Sequence, residues 1–117
     1  MKRDWDVIRE VLLEIEADNN GKSTYGDDKY PIKTGHAFLL RDAGFIQAVD
    51  ASTLTGPALI HPTLTWQGHE LLDTIRSKPV WEKIKSTAEE KGINLTFDAV
   101  IALGKVAVTW VVAQAMS

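Results

Sequence analysis

The sequence predicts an α+β fold that is mostly helical, and three observations carry that expectation. Apolar residues recur at helical spacing in several segments separated by glycine, proline and polar turns. Two short runs of strand formers, Phe45 to Val49 and Ala58 to Thr63, flank the turn-rich stretch "DASTLTGP". At 117 residues, the chain is long enough to bury a core without disulfide or metal staples.

Asp4 and Asp6 open the first helix, where carboxylates suit the positive end of the helix dipole. Trp5, Ile8, Leu12 and Ile15 then form one apolar face, while Asp6, Glu10 and Glu14 stack on the other as a solvated acidic row. The turn formers Asp18-Asn19-Asn20-Gly21 end this helix, and residues 18 to 30 read as loop. Pro31 suits the first position of a second helix. Ile32, His36, Leu39, Leu40 and Ala43 are its expected inner face, with Lys33, Ala37 and Arg41 outward and Gly44 as its stop.

The two strand runs then make a two-stranded hairpin, with Pro62 suited to the end of an edge strand. Thr65 caps a third helix whose face is Leu71, Leu72 and Ile75. Pro79 restarts a helix after Ser77-Lys78, with Val80, Ile84 and Ala88 inward and Gly92 closing it. Thr96 caps the last helix, Phe97 to about Met116. The expected organisation is residues 1–78 plus C-terminal helices over 79–117, forming one compact unit.

Composition excludes several functions. The chain has no cysteine, which removes disulfides and thiolate metal sites and suits a reducing cytoplasm. The N-terminal residues lack the apolar run of a signal peptide. A net charge of −3 provides no global field for nucleic acid, so any DNA binding needs a local basic patch. His69-Glu70-Leu71-Leu72-Asp73 imitates a zinc-protease helix but puts aspartate where the second histidine belongs. No glycine-rich phosphate loop or nucleophile elbow occurs, so neither an enzyme nor a cofactor nor a metal site is expected. The four tryptophans, Trp5, Trp66, Trp81 and Trp110, are expected in the core.

The last helix is apolar around most of its circumference, with Asp98, Lys105 and Thr109 as a narrow polar stripe. Such a helix is buried, paired or membrane-spanning. A central Lys105 costs about 2.5–3.5 kcal/mol on insertion scales, which argues against a membrane. Homodimerisation is expected instead, through Val100, Leu103, Val108, Trp110, Val111 and Val112. An intrachain neighbour for its small residues Gly104, Ala107 and Ala113 is the alternative.

Two motifs sharpen the fold. "HAFLLRDAGFI", residues 36–46, looks like the recognition-helix exit of many winged-helix regulators, and "LTWQGHELL", residues 64–72, looks like their entry into the helix after the wing. With "MKRDWDVIREVLLEIE" and "HELLDTIRSKPVWEKIK", the chain resembles domain-of-unknown-function family 2513 over about residues 1 to 103. The resemblance implies a winged-helix-type domain with extra C-terminal helices, of the kind found in small bacterial, phage and prophage proteins. It implies no mechanism. Residues 18 to 30 depart from the regulators, which place a helix before the recognition helix there.

Two non-catalytic functions follow. One is a phage- or prophage-type DNA-binding regulator, with Lys33, Thr34, Ala37 and Arg41 at the major groove and Lys22 and Lys29 on phosphates. The other is a protein-binding accessory module, which suits the acidic charge and a wing that has no basic residue.

Overall fold

The computed structural model describes residues 3–18, 23–26 and 31–116. It is an α+β structure in the order α1 (Trp5–Ala17), β1 (Thr24–Tyr25), α2 (Pro31–Asp42), β2 (Ile46–Asp50), β3 (Leu59–Leu64), α3 (Trp66–Arg76), α4 (Lys78–Lys91) and α5 (Phe97–Met116). Two compact units divide the chain at residues 70 and 71, inside α3.

In the first unit, α1 begins where predicted. The Asp4 carboxylate accepts from the Asp6 and Val7 amides, satisfying two groups that have no intrahelical partner. Trp5, Ile8, Val11, Leu12 and Ile15 are buried, one continuous stripe at helical spacing. Gly44, at φ 86°, stops α2 in the left-handed region.

The sheet has three strands, not the two of the expected hairpin. Thr24 and Tyr25, placed in a loop by their polar neighbours, pair antiparallel with Ile60 and Leu59 and give the order β1-β3-β2. β3 is therefore central, although Pro62 suggested an edge. Pro62 is tolerated because β1 pairs only as far as Ile60, so that flank of β3 needs no donor at Pro62. The β2–β3 register also slips between Gln47 and Val49, leaving one extra residue on β3.

His61 lies in that irregularity with φ 53°, a left-handed conformation for a non-glycine residue. Histidine adopts it more readily than most side chains, whereas a β-branched residue does not. His61→Gly should therefore shift the urea midpoint little. His61→Val should cost about 1–2 kcal/mol. Equal midpoints for the two variants would show that the bulge relaxes without strain.

In the second unit, Ser77 caps α4 through the Val80 amide, and Gly92 closes it at φ 65°. Val80, Trp81, Ile84 and Ala88 form its buried face, and α5 packs against α4. Thr96 Oγ1 accepts from the Ala99 amide at the start of α5. Gly104 lets α5 approach closely, since a Cβ there would run into the Thr74 methyl.

Candidate interaction surfaces

The geometry around α2 departs from the sequence reading and reassigns most of the proposed groove contacts. Its buried residues are Thr34, His36, Ala37 and Leu40, while Ile32 is 60% exposed and Ala43 is exposed. The helix is thus rotated from the expected face. Its small residues Thr34 and Ala37 turn inward, and α1 packs on α2. Thr34 and Ala37 are covered and present nothing to a groove.

His36 anchors this arrangement. Its Nε2 accepts from the Asp4 amide at 2.8 Å, and its Nδ1 donates to the Ile32 carbonyl at 2.7 Å. One fully buried ring thereby ties α2 to the N-cap residue of α1, with both nitrogens used.

Lys33 points back at α1. Its Nζ lies 3.0 Å from Glu10 and 2.6 Å from Glu14. These hydrogen bonds, Glu14 first and then Glu10, raise its pKa to about 12. Glu14 also accepts from the Tyr25 hydroxyl at 3.0 Å, and burial followed by the Glu14 charge holds that phenol well above its ordinary range. Two members of the acidic row of α1 are therefore not merely solvated. They clamp β1 and α2 onto α1.

Arg41 is committed as well: its Nε donates to the Ala48 carbonyl on β2 at 3.1 Å. Lys22 and Lys29, expected on phosphates, lie outside the described residues. The β2–β3 connection carries no cation. Asp50 accepts there from the Ser52 amide, and hydrogen bonding to Ser52 holds its carboxyl below the usual range. Leu54 projects fully into solvent at the tip.

The "LTWQG" stretch has a structural purpose. Thr65 Oγ1 donates to the Gly44 carbonyl at 2.7 Å and accepts from the Gly68 amide at 3.1 Å. A Cβ on Gly68 would collide with the Phe45 carbonyl oxygen, so the helix entry needs glycine. These contacts are made between "AGFI" and "TWQG", the two motifs read together in the sequence. With residues 2–94 matching the family described as "Hypothetical protein (DUF2513)", the identification is decided.

The chain belongs to the DUF2513 family. An uncharacterized protein of Haemophilus influenzae is similar to this DUF2513 chain, with 42% identity over 108 residues, covering 86% of this chain and 89% of the relative. No solved structure matches. The family match stops short of α5, which begins at Phe97.

Other sites expected from this DUF2513 sequence are rearranged. Trp5 and Trp81 are buried, but Trp66 is 75% exposed, because it lies on the opposite side of α3 from Leu71 and Leu72. Trp110 is partly exposed, with Lys83 Nζ 4.3 Å from its ring centre. His61 and His69 are exposed, and among the described residues no three His, Asp or Glu side chains converge on a common point.

On α5, Val100 is fully buried within the chain and cannot serve a second copy, while Leu103 and Val111 are half-buried. Val106, Val108, Trp110, Val112 and Met116 remain exposed. The helix is long and apolar enough to cross a membrane by length and composition.

Proposed function

We propose that this DUF2513 chain is a non-catalytic, protein-binding module on a winged-helix-type frame, and that α2 does not read DNA. The observation that carries this reading is the inward commitment of the would-be groove residues. Lys33 is clamped by Glu10 and Glu14, Thr34 and Ala37 are buried, and Arg41 is bonded to β2. Phosphate neutralisation supplies essentially all non-specific DNA affinity. Releasing Lys33 for that purpose would leave two carboxylates facing the duplex.

The side of α2 that reaches solvent instead carries a group of apolar residues, with Pro31 and Ile32 exposed and Phe38 and Leu39 half-exposed, beside the exposed Asp42 at its end. Exposed apolar side chains grouped on one helix suit a protein partner better than a polyanion. The cysteine-free composition fits a cytoplasmic setting.

Fluorescence anisotropy on a mixed-sequence duplex tests the negative half. Binding should be undetectable at micromolar protein even at ~50 mM salt. In parallel, a partner captured from lysate should persist after nuclease treatment and be lost with Ile32→Asp. Duplex binding that falls steeply with salt and is abolished by Lys33→Glu would replace this reading with the DNA one.

A further inference from the structure

We propose that α5 pairs antiparallel with α5 of a second copy of this chain, along a seam centred near residue 110. The pairing uses none of the α2 surface. Val100, Gly104 and Ala107 are occupied within the chain. The exposed side carries Lys105, Val108, Val112 and Ala115, spaced three, four and three apart. This is the alternation that keeps one seam of a helix facing a partner helix. Val108 and Val112 stand 43% and 49% exposed in its centre. Met116 flanks it and is also exposed.

Antiparallel pairing about residue 110 is self-complementary. Val108 of each copy meets Val112 of the other, and Lys105 lies opposite Ala115. A parallel pair would set Lys105 against Lys105. In the antiparallel pair, that ammonium lies beside the partner helix's last turn, where backbone carbonyls lack intrahelical partners. No basic residue of the chain itself occupies that turn.

Lys105 is exposed and enters no ion pair among the described residues. Its central position also weighs against lipid as the occupant, as does the packing of α5 on α4. The seam is a short stretch of one helix, small against a standard interface of about 800 Å² per partner, which suits a weak and reversible pair. Affinity should accordingly be micromolar.

Sedimentation equilibrium on the full chain should show mass rising from one copy to two through the micromolar range. Val108→Asp with Val112→Asp should raise the dissociation constant at least ~100-fold, circular dichroism confirming retained helix. Lys105→Glu, which removes no packing, should weaken pairing about 3- to 10-fold at low salt and less at high salt.

The chain is free of native cysteine. A mixture of V108C and V112C chains should therefore oxidise mainly to the mixed disulfide dimer. Homodisulfides in each variant alone would overturn the antiparallel register. A single-copy mass at about 1 mM, or co-flotation of the chain with phosphatidylcholine vesicles as a monomer, would overturn the pairing itself.

Discussion

Gly68→Ala should cost about 3–4 kcal/mol and lower the melting temperature by roughly 10–15 °C. The added methyl meets a backbone carbonyl, not the movable end of a side chain. That carbonyl, on Phe45, is itself held by the Thr65 amide at 3.1 Å. Thr65 is in turn fixed by its hydroxyl bonds to the Gly44 carbonyl and the Gly68 amide. The group struck by the methyl therefore has no slack direction. Gln67→Ala, one residue away and exposed, is the control and should be neutral or slightly stabilising. A melting temperature for Gly68→Ala within a degree or two of that control would mean that α3 shifts freely against the end of α2.

His36→Ala should have the second large effect, a loss of about 3–5 kcal/mol, because it combines a cavity with an orphaned Asp4 amide and the loss of the ring's bond to the Ile32 carbonyl. The Asp4 amide and the Ile32 carbonyl each lose a partner in a site where the ring is fully buried. His36→Phe separates the contributions, since it restores volume and leaves both hydrogen bonds unmade. It should recover part of the loss and remain about 1–3 kcal/mol below the parent. Amide exchange at Asp4 should accelerate in both variants. Full recovery with phenylalanine would reduce the histidine to a space filler.

Helix boundaries were legible because their signals are local. Asp4, Thr65 and Thr96 each bond an amide two to three residues on, and Gly44 and Gly92 supply left-handed stops. The two-residue β1 was not legible. Thr24-Tyr25 has no periodicity of its own, and its pairing with Leu59 and Ile60 crosses more than thirty positions of chain. The rotation of α2 had the same cause. Amphipathic spacing placed Ile32 inside and Ala37 outside, whereas the packing of α1 on α2 and the lysine clamped to Glu10 and Glu14 turn the Thr34 and Ala37 side inward, with His36 buried as expected.

The acidic row on α1 looked like solvated surface because the partner of Glu10 and Glu14 lies on another helix. One hint was available in the opening motif: a glycine three residues after a threonine cap is more than a helix start needs.

Arg41, withdrawn from the groove, has a consequence at the sheet margin. The Ala51 amide and the Phe45 carbonyl both bond inward, so strand alternation turns the backbone of residues 46, 48 and 50 outward from β2. Those outward groups are a template on which a stray chain can grow by strand addition. The guanidinium sits on the middle one, the Ala48 carbonyl. An incoming strand must displace this bond before it can pair with the Ala48 carbonyl, the central acceptor of that edge. A side chain that first resembles a reader of nucleic acid thus covers the middle of an open sheet edge, a position from which it hinders strand addition at β2.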